Sequence, residues 1–206
     1  MRRTLVLAAL AGALLQPGGL RAQASDNAGL MLSLHAVPMG LAGVGEEVFE
    51  EDGMGLGGTV GYGFTERFAL YGTVDVGYIE YDPDNPAAVG EDYQSLTLDI
   101  GTRVNLGYEF QRMRPFINAA ISAVVTTEDD EELGGSATTS GGGVTVGGGV
   151  QYFYREHWAL LFAIQATMGA FTETEFEDHT ELFAEGVPYS HYRVQMGVVW
   201  HRPPER

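Results

Sequence analysis

The sequence contains no cysteine and no lysine, and all 11 of its basic residues are arginine. Without cysteine, the chain has no disulfide framework, no thiol nucleophile and no thiolate metal site. Its 28 acidic residues outnumber the basic ones and give a net charge of −17 at pH 7. Because so acidic a chain repels phosphates, we expect no nucleic-acid partner.

The chain also lacks an apolar run long enough for a membrane helix, which needs about 20 residues. Its longest run, near the start, is shorter; it follows Arg2 and Arg3 and precedes Ala22-Gln23-Ala24. This pattern is typical of a secretory signal peptide with an A-x-A cleavage site. We therefore expect residues 1–24 to be removed on export and residues 25–206 to form one domain.

Alternation with a period of two is abundant in the sequence. Between Met54 and Tyr78 nearly all even positions are large and apolar, whereas the odd positions are mostly small or polar. Such a period indicates strands whose two faces differ. A turn at Thr65-Glu66 divides this stretch into a hairpin.

The same alternation recurs along the chain and predicts eight strands joined by four long and three short connections. The predicted strands are residues 29–37, 54–64, 68–78, 93–108, 114–127, 141–154, 158–172 and 190–201. We expect Pro38 to end the first strand. The stretch from Glu128 through Ser136 and residues 173–189 are expected to be acidic loops.

One face of every predicted strand is apolar almost throughout, and the other holds glycines and polar residues. A soluble barrel, the rival interpretation, would crowd all the bulky side chains into a narrow interior. With the glycine face inward, the apolar band instead meets lipid, and closure leaves no backbone group unpaired in hydrocarbon. The predicted fold is all-β, an eight-stranded antiparallel up-and-down transmembrane β-barrel.

Aromatic residues fall at two levels of these strands. Near the short turns they are Tyr62, Phe64, Phe68, Tyr108, Tyr152, Tyr154, Trp158 and Trp200, and near the long loops Tyr78, Tyr93 and Tyr192. Two aromatic girdles around an aliphatic band are typical of transmembrane barrels.

In this hairpin pattern the mature chain resembles the eight-stranded outer-membrane barrels of the OmpA, OmpX and opacity type, without a periplasmic domain. The stretch from Gln195 through Gly197 to Trp200 resembles the signal that the barrel-assembly machinery recognises, although His201 to Arg206 follow the aromatic residue. The resemblance implies a bacterial outer-membrane location, periplasmic short turns, and contact with membrane lipid and lipopolysaccharide. We expect a monomer.

The four predicted long loops, with the adjoining strand end, hold 21 of the 28 acidic residues and no arginine. One interpretation is a solvated crown in which like charges keep the loops apart. The other is that divalent cations bridge the acids to lipopolysaccharide phosphates, since carboxylates suit hard cations. The candidate ligands are Glu128, Asp129, Asp130, Glu131 and Glu132, which lack the spacing of an EF-hand loop.

Four charged residues, Asp75, Asp99, Arg103 and Arg193, fall on the inward face near mid-height. Charges at such positions must be paired or hydrated. We expect an ion network that plugs and rigidifies the barrel, with Asp75 paired to Arg103 on the neighbouring strand. The alternative is a gate over a small ion path, but side chains just fill the interior of an eight-stranded barrel.

No arrangement of residues indicates catalysis. Ser190 and His191 are adjacent, so they point to opposite faces of a strand. At the extracellular rim the only candidate is Glu177-Asp178-His179. We predict a small non-enzymatic barrel without a cofactor, with a structural or surface-interaction role in membrane integrity or adhesion. The alternatives are a narrow channel for small or apolar solutes and, less favoured, an outer-membrane hydrolase.

Overall fold

The fold is a closed barrel in which each of eight antiparallel strands pairs with its neighbours in sequence and β1 pairs with β8. A computed structural model describes residues 28–43, 50–79, 92–106, 112–130, 135–176 and 179–202. The strands are β1 (Gly29–Gly43), β2 (Glu50–Gly63), β3 (Phe68–Ile79), β4 (Tyr93–Asn105), β5 (Met113–Asp130), β6 (Gly135–Arg155), β7 (Trp158–Glu175) and β8 (Thr180–Arg202). The predicted up-and-down barrel is confirmed.

No helix within the described ranges is long and apolar enough to cross a bilayer.

The strands are strongly staggered around the barrel. Successive cross-strand partners, followed once around from Gly43 on β1, return to β1 at Ser33, ten residues away. The intermediate partners are Tyr189, Gly169, Gly143, Ser122, Asp99, Thr73 and Thr59. Strand number and stagger together fix the width of a barrel, and at eight strands the interior is just wide enough for side chains to fill.

The bulky apolar face points outward, as the alternation predicts. Ile100 and Met168 are each 71% exposed and Leu56 is 67% exposed. In contrast, the inward positions are buried, and Asp75, which interrupts the apolar pattern of its strand in the sequence, is fully buried in the lumen. This inside-out arrangement is the one that suits a barrel surrounded by lipid.

The strand bounds differ from the predicted ones on the extracellular side. β1 does not end at Pro38 but continues to Gly43. Proline lacks a backbone N–H, and the ladder to β8 is interrupted between the pairs Ala36–Met196 and Met39–Arg193, whereas Pro38 still lies opposite Met54 on β2. The strand therefore passes through the proline because the interruption affects only one of its two ladders.

Much of the predicted third and fourth loops is also strand, since β5 runs to Asp130 and β8 starts at Thr180. β8 pairs with β1 only as far as Tyr189, and β5 pairs with β4 only as far as Glu128. The upper ends of β5–β8 therefore rise beyond the described parts of β1–β4. We call this part, residues 129–130, 135–140, 172–175 and 180–187, the extracellular wall.

Two aromatic positions depart from the predicted girdles. Tyr93 faces the lumen and packs against a buried apolar cluster instead of facing lipid. Tyr108 lies outside the described residues. The outward tyrosines Tyr78 and Tyr192 lie at the upper level as expected, and each donates a hydrogen bond to a carboxylate there, of Asp92 and Asp52 respectively.

Candidate functional site

The lumen is built in three layers. Apolar side chains around Met31, Phe116 and Phe153 fill the periplasmic third. A second apolar cluster, around Met39, Phe171 and Tyr189, fills the extracellular third. Between them lies the mid-lumen belt, a set of buried polar side chains from seven strands: His35, Asp75, Asp99, Ser122, Thr145, Thr167, Arg193 and Gln195.

Arg193 is the centre of this belt. Its guanidinium, on β8, lies 2.7 Å from Asp75 Oδ2 on β3 and 2.8 Å from Asp99 Oδ2 on β4, and all three side chains are fully buried. In an eight-stranded barrel β8 and β4 lie on opposite sides, so this side chain crosses the lumen. A charged group withdrawn from water requires such ion pairs, because its desolvation is expensive.

The remaining oxygen of each aspartate is also satisfied. Oδ1 of Asp75 lies 2.8 Å from His35 Nε2, and Oδ1 of Asp99 accepts a 2.6 Å hydrogen bond from the hydroxyl of Ser122. The hydroxyls of Ser122, Thr145 and Thr167 continue the chain of hydrogen bonds at 2.5 and 2.6 Å. All four carboxylate oxygens of the belt are therefore bonded, although Arg193 Nε has no partner, and such a network makes its strands rigid relative to one another.

A glycine makes room for this network. At Gly57 an added Cβ would lie 1.8 Å from Asp75 Oδ1 and 2.6 Å from His35 Nε2. Gly57 therefore belongs to the belt, although it contributes no side chain. The sequence signal for this role is a glycine at an inward position directly opposite the buried aspartate, with which it pairs across β2 and β3.

Arg103 does not join the belt, so the expected pair with Asp75 is wrong. The register places Asp75 opposite Thr97, whereas Arg103 lies opposite Ala69, closer to the periplasmic end of β4. Its guanidinium packs on the Phe116 ring, at 4.1 Å from the centroid, and donates to the Met31 sulfur at 3.2 Å. Arg103 and Arg193 are thus both buried in the lumen but in unlike surroundings.

The extracellular mouth of the lumen is covered by aromatic rings. Phe171 and Tyr189 stack with centroids 4.5 Å apart, and Tyr93 and Phe183 pack against the same cluster. Phe183 reaches it from an irregular part of β8, where the register with β7 shifts between Phe171 and Glu173. In that stretch Gly186 adopts a φ of 68°, a left-handed conformation that favours glycine.

The candidate metal ligands of the third connection are only partly described. Glu128 is half-buried at the top of β5; the side chains of Asp129 and Asp130, and residues Glu131 and Glu132, lie outside the described set. The described residues contain no group of three or more His, Asp or Glu side chains arranged to hold a metal ion.

The rim candidate for catalysis is also only partly described, because Glu177 and Asp178 are outside the described residues. His179 is exposed and stacks on Phe176 at 4.8 Å. His191 is buried in the lumen, 3.5 Å from the Thr97 hydroxyl, whereas the adjacent Ser190 is half-buried on the other face, as predicted. These contacts do not assemble a nucleophile with a base.

The positions of the predicted assembly signal lie on the last strand, beside the closing seam. Gln195 points into the lumen and donates to Asp75 at 3.4 Å, and Gly197 lies opposite His35 on β1. Trp200 is half-exposed on the outward face, opposite Trp158 on β7.

The sequence matches the family model described as outer membrane protein beta-barrel domain over residues 5–201. The chain belongs to this family. It is accordingly a bacterial outer-membrane protein that lies in the lipid and lipopolysaccharide environment of that membrane. No curated protein matches its sequence.

Solved structures share the fold at low sequence identity. Neisserial surface protein A aligns over 85% of this chain and 98% of its own, with a TM-score of 0.60 and 14% identity. OprG from Pseudomonas aeruginosa aligns over 88% and 99%, with a TM-score of 0.56 and 13% identity. Ail, the attachment invasion locus protein of Yersinia pestis, aligns over 84% and 99%, with a TM-score of 0.52 and 10% identity.

Proposed function

We propose that this chain is a non-enzymatic surface-interaction barrel whose lumen is closed and whose extracellular wall contacts a partner outside the cell. The observation that carries the proposal is the contrast between the two ends of β5–β8. At their periplasmic ends these strands end at short turns. At their extracellular ends they continue beyond the described parts of β1–β4. The extension provides a sheet outside the membrane band on which a partner can bind.

The chemistry of the wall supports contact with water and with a partner. Side chains bond across it between neighbouring strands, as between Thr139 and Thr174 at 2.8 Å and between Ser140 and Glu173 at 2.9 Å. Cross-strand pairs of this kind stabilise a sheet without lipid. Leu182, which is 76% exposed, and Val187 add apolar contact area.

The mid-lumen belt supports a closed lumen in preference to a channel. Arg193 crosses from β8 to β4, and two carboxylates hold its guanidinium. Passage of a solute would require these buried pairs to separate, which is costly. We expect planar-bilayer recordings of the purified protein to show no stable conductance; large and lasting openings would overturn the closed lumen.

The surface role is tested on cells. Residues 172–186 would be replaced by Asn-Gly, a two-residue turn that suits a hairpin, so that the paired residues Phe171 and Val187 flank the turn. We expect adhesion of the cells to protein-coated surfaces to fall to the level of cells without the gene, while resistance to detergent is kept. Equal adhesion by the shortened and full-length proteins would overturn the proposal.

A matched variant separates shape from charge. The triple substitution Glu173→Gln, Glu175→Gln and Glu181→Gln keeps the wall and removes three of its charges. Adhesion retained by this variant and lost in the shortened one would assign recognition to the sheet itself. Proteolysis of whole cells gives the amount and orientation of each variant at the surface.

We also propose that Gln195, Gly197 and Trp200 serve as the assembly signal, and that the acidic crown repels its neighbours without holding a specific cation. A calcium titration of the folded protein tests the second point. Saturable heat release would contradict it.

A further inference from the structure

Arg103 presents a charge problem that the rest of the lumen does not. It is 3% exposed, and no carboxylate of the described residues lies within ion-pair distance of it. The buried acids of the described part, Glu51, Asp75 and Asp99, belong to the mid-lumen belt or to the extracellular end. Since a guanidinium keeps its proton in proteins, this is a permanent buried positive charge.

The Arg103 guanidinium contacts aromatic rings and a sulfur, and Asn118 lies opposite it on β5. Its guanidinium carbon lies 4.1 Å from the centroid of Phe116 and 5.6 Å from that of Tyr71. One terminal nitrogen donates to the Met31 sulfur, a weak acceptor, and Nε makes no hydrogen bond. Ring faces and a thioether contribute some attraction to a cation, but they do not neutralise it.

Two further basic residues lie on the periplasmic side of Arg103. Below Arg103, Arg114 and His201 flank Phe153, at 4.7 and 5.2 Å from its centroid. His201 is 4% exposed, and its Nε2 has no hydrogen-bond partner. A buried guanidinium with an unbonded Nε–H and no described carboxylate within ion-pair distance indicates a ligand that accepts hydrogen bonds and carries negative charge.

We propose that the periplasmic third of the lumen is a binding site for a small, weakly hydrated inorganic anion of the chloride and bromide class, anchored by Arg103. The anion supplies the countercharge that the described residues do not, and it accepts a hydrogen bond from Arg103 Nε, which has no partner among them. A weakly hydrated halide suits this place because aromatic rings and a thioether do not replace the hydration shell of fluoride or sulfate.

The test measures the melting temperature of the folded barrel in zwitterionic detergent. Sodium fluoride is replaced by sodium bromide at constant ionic strength, up to about 50 mM, where binding to the folded state acts by mass action. We expect a saturable rise of about 2–4 °C. General salt effects on stability neither saturate nor favour bromide, so the shape of the curve separates binding from them.

Two variants assign the effect to its residue. Arg103→Met should abolish the bromide response, whereas Arg155→Met, at an exposed arginine of the same barrel end, should keep it. A response that survives in Arg103→Met would overturn the site. Bromide-soaked crystals of the unaltered protein need no variant to fold: an anomalous peak beside the Arg103 guanidinium is expected, and its absence together with a flat melting curve would overturn the proposal.

Discussion

Two buried arginines of the lumen, Arg193 and Arg103, are similarly buried but have different neighbours. Arg193 is fully buried between two carboxylates, and Arg103 is buried among a thioether and aromatic rings. Removing one member of a buried ion pair is costly because it leaves the other charge buried without a partner. A single buried charge, in contrast, already destabilises the folded state. The same residue type therefore stabilises one layer of this lumen and burdens the other.

The largest expected effect comes from removing Arg193. Arg193→Met would leave the carboxylates of Asp75 and Asp99 buried without the guanidinium that pairs with them. We therefore expect the free energy of unfolding to fall by about 3–5 kcal/mol. Urea unfolding in lipid vesicles, followed by tryptophan fluorescence, measures it. If Arg193→Met costs less than about 1 kcal/mol, the belt does not hold the barrel together.

A neutral version of the belt serves as its control. Asp75→Asn and Asp99→Asn, combined with Arg193→Met, remove all three charges and keep similar volumes. Because replacement of a whole buried ion group is often close to neutral, we expect most of the lost stability to return. A triple variant as unstable as Arg193→Met would show that packing and not charge explains the loss.

The next effect in size comes from Gly57. In Gly57→Ala the new methyl group would overlap Asp75 Oδ1 and His35 Nε2, atoms that are held by their own pairing. We expect a loss of about 1–3 kcal/mol, the usual cost of overpacking. Gly58→Ala is the matched control: its Cβ meets only Ser33 O, at 3.4 Å, so it should change the same unfolding curve little. Equal losses would mean that overlap with Asp75 and His35 is not the cause.

Sequence alternation was sufficient to predict the strands, their faces and the inward position of all four lumen charges. It could not assign their partners. Asp75 and Arg193 lie 118 residues apart and meet across the lumen, at a height fixed by the ten-residue stagger. That stagger is a property of the closed barrel, and no single hairpin reveals it.

The upper ends of the strands were missed for a different reason. Outside the membrane band a strand needs no apolar face. Its sequence therefore lacks the alternation of apolar and polar residues and resembles that of a polar loop. The Thr127–Thr138 and Thr139–Thr174 pairs show what replaces it, hydroxyl contacts between neighbouring strands. Threonine favours strands, and the threonine-rich stretch before Gly141 was the available signal.

A smaller effect is expected in the periplasmic third. Phe116→Leu removes the ring that packs on the Arg103 guanidinium. We expect this substitution to lower the free energy of unfolding by about 1–2 kcal/mol more in the unaltered protein than in the Arg103→Met variant. A double-mutant cycle on unfolding free energies isolates this coupling. Additive losses would mean that the ring and the cation contact each other without stabilising the fold.

The smallest effect, and the sharpest contrast with Arg193, is expected for Arg103→Met itself. Methionine fills part of the same space among Met31, Tyr71 and Phe116 and removes a charge that no described carboxylate balances. In fluoride, without a weakly hydrated anion, we expect unfolding free energy to change by less than about 1 kcal/mol or to rise. The same urea assay measures it beside Arg193→Met. A loss as large as that of Arg193→Met would mean that Arg103 is compensated within the protein, and the two layers of the lumen would then follow one rule.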